Sequence, residues 1–146
     1  MDIYSRLIDD HGKQRGLSGG LIRTSGDTME RRRLFDALKK EVTAHAAAEE
    51  QAFYAELIGM ADGQEKARHS VSEHKEAADL LDELAKTDMA SSAWLAKFKK
   101  LKKDLEHHMD EEEAEVFVLA RSLVSEDRAG DLAREFDRRK DDEMSD

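Results

Sequence analysis

Two copies of one pattern, His45-x-x-x-Glu49 and His108-x-x-x-Glu112, fall in phase with stripes of Leu, Val and Phe that repeat at helical spacing. Residues four apart on a helix share one face. On an apolar stripe that face is the interior, where an unpaired charge is costly. A chain carrying this pattern twice must fold so that the helices meet around a common solution for the buried charge.

The rest of the sequence supports helices throughout. It contains no proline, 5% of its residues are aromatic, and 40% are charged. A helix tolerates that charge, because one stripe per helix is enough to build a core. At 146 residues the chain reads as one domain, large enough to bury about two-thirds of its unfolded surface.

Helical spacing predicts a first helix from about Asp2, with Tyr4, Leu7, Ile8 and His11 on one face. Gly12, Gly16, Gly19 and Gly20 weaken its second half, so packing must hold it or it bends there. A turn at 24–27 follows, with Asp27 and Glu30 spaced as a capping box. The second helix, about 28–58, carries Leu34, Leu38, Val42, His45, Glu49, Phe53 and Leu57 inward. The third, about 64–86, has Asp62 and Glu65 as its cap and buries Ala67, Val71, His74, Ala78, Leu81 and Leu84. The fourth, about 92–124, runs through Trp94, Phe98, Leu101, Leu105, His108, Glu112, Leu119 and Leu123.

Short links between helices of ~20–30 residues make antiparallel neighbours. The fold class is therefore all-α, an up-down-up-down four-helix bundle with a short C-terminal fifth helix. The core spans about 2–125, the short helix covers 126–139 with Leu132 and Phe136 packing back, and 140–146 is a frayed tail.

Phase also sorts the six histidines. His11, His45, His74 and His108 lie on the stripes of their own helices, whereas His69 shares a face with Glu65, Glu73 and Glu76. The spacing is met a second time by His107-x-x-x-Glu111. Phase favours His108 and Glu112, because Leu101, Leu105, His108 and Glu112 step by four, three and four. A lone inward histidine is usually hydrogen-bonded core, and Glu49 or Glu112 alone would suit a rim paired with lysine. Four inward histidines and two inward carboxylates cannot easily satisfy one another in a narrow core. A divalent or trivalent metal resolves charge and hydrogen bonding together. Imidazole with carboxylate suits iron or manganese and also accepts zinc. Six ligands suit two ions, with Glu49 and Glu112 bridging.

In order along the chain, Asp10-His11, His45 to Glu49-Glu50 with Phe53-Tyr54, Glu73-His74-Lys75-Glu76, and His108 to Glu112-Glu113 with Val116-Phe117 resemble the haemerythrin-like, or HHE cation-binding, family. The resemblance covers essentially the whole chain. It implies a four-helix bundle around two iron ions with an oxo or hydroxo bridge, manganese or zinc being the lesser alternatives. By the same resemblance His11 and His45 are terminal ligands to one iron, His74 and His108 to the other, and Glu49 and Glu112 the bridges. Oxygen-carrying relatives have a fifth histidine one turn from the third-helix ligand, where this chain has Ser70 and Ala78. Glu73, His69, His107 or water would then fill that place, and reversible oxygen carriage loses weight against an open, reactive or sensing centre. Many relatives carry proline where Ala55 and Val118 stand, so these helices are expected to run straighter.

The function expected is a non-haem di-iron protein that binds or reacts with oxygen, peroxide or nitric oxide. An iron- or oxygen-responsive binding module without turnover is the alternative, and a metal-free helical interaction domain a third. Tyr4 and Tyr54 read as core or rim aromatics before they read as donors to the site. The net charge of −10 argues against nucleic acid and anionic membranes as partners. A small diatomic or peroxide ligand and an electron donor are the expected partners, with a monomer or homodimer as the assembly. With zero cysteines there are no disulfides or thiolate sites, and with no targeting or spanning segment legible the expected location is the cytoplasm.

Overall fold

In the computed structural model, which describes residues 1–145, five helices follow one another without a strand among the described residues. The first, α1, is Ile3–Leu21, capped by Asp2, whose carboxylate accepts the Ser5 amide at 2.9 Å. Its buried stripe runs Tyr4, Leu7, His11, Gln14, Ser18, Leu21. Ile8, expected inward, falls beside that stripe and is 41% exposed.

The glycines of α1 neither bend it nor admit a close neighbour. A Cβ at Gly12 or Gly16 would meet nothing within 4 Å. Gly12→Ala and Gly16→Ala should therefore each stabilise the protein, by about 1 kcal/mol. Urea unfolding of the single and double variants measures this, and additive gains are expected.

The turn after α1 needs one glycine, Gly26, at φ +72°. The cap of the next helix is Thr28, whose hydroxyl accepts the Arg31 amide at 3.1 Å. Asp27, expected in that role, instead pairs with Arg32. Helix α2 spans 29–58 and α4 spans 92–123, but neither is a regular α-helix throughout. Each contains one wide turn, Glu50–Tyr54 in α2 and Glu112–Val116 in α4, closed by i→i+5 bonds from Ala55 N–H to Glu50 O and from Phe117 N–H to Glu112 O. The extra residue turns two successive side chains inward, so Phe53 and Tyr54 are both buried, as are Val116 and Phe117. Such π turns recur at functional sites. In both helices the wide turn follows the inward layer directly, after Glu49 in α2 and after Glu111 in α4.

Helix α3, Gln64–Lys86, starts at Gly63 with no side-chain cap, so Asp62 and Glu65 do not form the expected one. A Cβ at Gly63 would lie 2.5 Å from the Leu57 carbonyl oxygen, and this close approach excludes any other residue. Ala77 rather than Ala78 faces the core, and Val71 is only half-buried. Helix α5, Glu126–Ser145, is as long as the regular part of α4 and lies against α1 and α2. The frayed tail expected at 140–146 is therefore helical through Ser145, held by Lys140, which is 4% exposed; Asp146 lies outside the described residues.

Two apolar cores fill the bundle. One contains Ile3, Leu7, Phe53, Leu57, Phe117 and Phe136, and the other Leu21, Leu38, Leu81, Trp94, Phe98 and Leu101. Each buried Leu or Phe contributes about 1.5–3 kcal/mol, which lets the fold tolerate a polar layer between the two.

Candidate metal centre

That polar layer consists of the six residues singled out by phase. His11, His45, Glu49, His108 and Glu112 are buried, and the His74 side chain is 9% exposed. His107 and His69 stay outside, with side chains 69% and 52% exposed. The phase that favours His108 and Glu112 over His107 and Glu111 is the phase that α4 adopts.

Each inward histidine is held by a carboxylate from a neighbouring helix. His45 Nδ1–H donates to Asp10 Oδ2 at 2.7 Å, and His74 Nδ1–H to Glu50 Oε2 at 2.8 Å. His108 Nδ1–H donates to Glu73 Oε1 at 2.8 Å, and His11 Nδ1–H to Glu113 Oε2 at 2.6 Å. The pattern is a closed ring. Helix α1 supplies the acid for α2, α2 for α3, α3 for α4, and α4 for α1. Each acid sits next in sequence to an inward residue of its own helix, as in Asp10-His11, Glu49-Glu50, Glu73-His74 and Glu112-Glu113. The doublets are visible in the sequence, but which histidine each outer acid holds is not.

With Nδ1 committed outward, every Nε2 points to the centre. His45 Nε2 and His74 Nε2 lie 3.5 and 3.0 Å from the two oxygens of Glu49. His11 Nε2 and His108 Nε2 lie 2.9 and 3.6 Å from those of Glu112. Despite these distances, Nε2 of His11, His74 and His108, both oxygens of Glu49 and Oε1 of Glu112 have no aligned hydrogen-bond partner. Buried polar atoms are normally satisfied. Here they converge on shared space instead of on one another. Glu112 Oε2 accepts the hydroxyl hydrogen of Tyr54, so this tyrosine is a donor to the site as well as a core aromatic.

Donor atoms within 4.8 Å of one another form two buried groups: His11, His45, Glu49 and Glu112, and Glu49, His74 and His108. A third group, His69, Glu73 and Glu111, is exposed or half-buried, and its Glu73 is already bonded to His108. None of Glu73, His69 and His107 supplies a fifth inward nitrogen or oxygen, and Ser70 is buried while Ala78 is exposed.

The charge balance without a cation is informative. Burial acts to lower the pKa of His45, but Glu49 and Asp10 outweigh it and push it up to about 10. Burial is likewise outweighed at His74, which Glu49 and Glu50 push up to about 9. His11 is raised by Glu112 in the same way. Glu49, though fully buried, is held well below its ordinary value by His45 and His74. Burial together with Glu112 and Glu49 raises Tyr54 well above the ordinary tyrosine value, so its hydroxyl remains a donor. Protons thus stand where positive charge is required, and a metal cation would replace them.

A cavity of about 80 Å³ touches all four histidines and is walled by Val42, Ala46, Ala77, Leu105 and Met109. It reaches the exposed residues Glu76 and His107. Gln14, Glu73 and Asp104 complete the lining, and a space of this size suits only a small ligand.

His11 and His74, His45 and His108, Glu49 and Glu112, and Phe53 and Val116 are each 63 positions apart. The same offset relates Asp10 to Glu73, Glu50 to Glu113, Phe35 to Phe98 and Leu38 to Leu101, so the halves α1–α2 and α3–α4 present matching groups in the same order.

The sequence profile of the Hemerythrin HHE cation binding domain matches residues 2–120. Among solved structures, the fold resembles the crystal structure of a Hemerythrin HHE cation binding domain-containing protein from Mycobacterium kansasii. The TM-score is 0.88 at 22% identity, over 99% of this chain and 88% of that one. No curated protein matches the chain.

Proposed function

This chain belongs to the haemerythrin HHE cation-binding domain family, and we propose that it is a non-haem di-iron protein that binds or reacts with oxygen, peroxide or nitric oxide. The observation that carries this reading is the set of four histidines, each with Nδ1 held by a carboxylate and Nε2 turned to Glu49 or Glu112, those of His11, His74 and His108 without an aligned partner. Ligating histidines have this arrangement, because the outer hydrogen bond fixes the ring and raises its basicity. His11 and His45 would hold one ion, His74 and His108 the other, and Glu49 and Glu112 would lie between them. The donor set is mixed imidazole and carboxylate, which suits iron and manganese better than a closed tetrahedral zinc site.

When bound, the iron pair would supply the electrons and the open positions for a small oxidant. The protein's own part is legible in its residues. Asp10, Glu50, Glu73 and Glu113 orient the rings. Tyr54 steadies Glu112 and holds a proton beside it. Val42, Ala46, Ala77, Leu105 and Met109 limit water in the approach. Six protein donors shared by two ions would leave coordination positions free for a small ligand, and the cavity beside the four histidines would admit one. The same reading takes the chain to be cytoplasmic, with an electron donor among its partners; none of the described helices is long and apolar enough to cross a membrane.

Metal analysis and the visible spectrum of the purified protein, before and after peroxide, test this. About two irons per chain with near-ultraviolet absorption that peroxide perturbs is the expected result. Zinc or a single ion would keep the site and remove the redox chemistry. Far-ultraviolet circular dichroism separates the second reading, a metal-responsive module. A bundle that survives chelation and turns over peroxide acts as an enzyme, and helicity that collapses on iron removal identifies a sensor.

A further inference from the structure

Asp10 stands apart from the other three carboxylates of the ring. The side chains of Glu113, Glu50 and Glu73 are 29%, 37% and 18% exposed, so water shares their charge. The Asp10 side chain is 2% exposed. Its Oδ1 accepts from Lys140 Nζ at 2.8 Å and from Arg6 Nη1 at 2.6 Å, while Oδ2 takes the His45 proton. Lys140 is itself buried, and its ammonium also meets Glu41 Oε1 at 2.5 Å.

The Lys140 contacts come from α5, which lies beyond the segment that the family profile matches. Helix α5 also sets the Phe136 ring edge-on to His45, 5.5 Å between centroids, with the Arg6 guanidinium 4.9 Å over that ring. On the other side Tyr54 sets its ring edge-on to His74, 6.0 Å between centroids, so the difference between the two sides lies in the charges. Among the described residues, neither Glu50 nor Glu73 pairs with a lysine or arginine. The His45 corner of the ring is buried and cation-anchored, whereas the acids that hold His74 and His108 are partly exposed.

We propose that Lys140 is a positioning residue for His45, acting through Asp10, and that it makes the position between His11 and His45 the tighter of the two metal positions. The second clause rests on the two-ion reading above. Two cations on Oδ1 leave Asp10 one orientation, and Oδ2 then fixes the His45 ring with Nε2 toward the centre. A ligand held in place needs no reordering on metal binding. Loss of such an outer partner typically costs 10–100-fold in metal affinity.

Lys140→Met alone would leave Glu41 facing Asp10 without this cation, so the test variant is K140M/E41Q, with E41Q as its control. Two readouts are compared. The first is chelator-driven release of iron from the loaded protein. The second is the His45 Nδ1 proton in the metal-free protein, followed by nuclear magnetic resonance. In wild type and E41Q we expect biphasic release and an exchange-protected His45 proton. In K140M/E41Q the slow phase should accelerate 10–100-fold, and the proton should exchange with water. An unchanged slow phase with an unchanged His45 proton, even at a lower melting temperature, would reduce Lys140 to a residue that docks α5. If wild type takes up fewer than two ions, the two-ion reading fails, and the His45 proton still decides the role of Lys140.

Discussion

On the two-ion reading proposed above, replacing Glu49 with alanine is expected to reduce the metal content from two ions per chain to one or none, with the helical bundle intact. Glu49 is 0% exposed, lies between His45 and His74, and has no hydrogen-bond partner for either oxygen. A carboxylate in that setting serves no neighbour by hydrogen bonding, and its charge is what draws protons onto the two imidazoles. With alanine there, burial is opposed by fewer charges and His45 and His74 fall toward neutral, so no stranded cation is left in the core. The two apolar cores on either side are untouched, which is why helicity should persist. His108→Ala should act in the same direction. His107→Ala and Glu111→Ala, on the outer face of α4, should leave metal content unchanged. Elemental analysis with circular dichroism reads all four. Equal metal content in Glu49→Ala and wild type would overturn the ligand assignment.

The second large effect is a stability gap between the metal-free and metal-loaded forms that widens as pH rises. In the metal-free protein His45 and His74 sit at about 10 and about 9, against ~6.5 for an unfolded histidine. A raised folded value contributes stability that is complete below the unfolded value and is lost as pH rises through the folded one. The metal-free protein should therefore become less stable from about pH 7 to pH 10. Metal binding must displace the same protons, so affinity should rise with pH over that window and fall on acidification. The loaded protein gains stability with affinity, by about 2.7 kcal/mol when free metal is 100 times the dissociation constant. The gap in melting temperature between the two forms should widen as pH increases. A gap that is flat or narrows would mean that these histidines carry no proton for the metal to displace. Potentiometric counting of protons released on metal addition gives an independent check.

Much of this protein is legible without coordinates. Helical period assigns the inner stripes of α2 and α4 correctly through Leu38, Val42, His45 and Glu49, and through Phe98, Leu101, Leu105, His108 and Glu112. The step of three and four residues separates His108 from His107, and the structure buries the one and exposes the other. Both results follow from one physical fact: a side chain's direction on a helix depends only on its position along that helix, and burial of a large apolar stripe fixes the rotation.

Other features could not be read from local pattern. The wide turns at Glu50–Tyr54 and Glu112–Val116 have no breaker residue to announce them. Inward demand from two adjacent side chains, Phe53 with Tyr54 and Val116 with Phe117, selects them. The cap at Thr28 wins over Asp27 because Arg32 takes the aspartate. The end of α5, mostly charged by composition, is helical because Lys140 finds Asp10 and Glu41, which lie 130 and 99 residues earlier.

The sequence by itself determined the helices, their inner faces and the six residues of the buried layer, since these depend on periodicity within single segments. The tertiary structure alone decided which carboxylate holds which histidine, that every Nε2 turns to one centre, and that α5 seals only the His45 side. Those outcomes depend on distances between helices, and hydrogen bonds and ion pairs weaken within an ångström or two of misplacement. A one-dimensional pattern can state that a face is buried. Only packing can state what it is buried against.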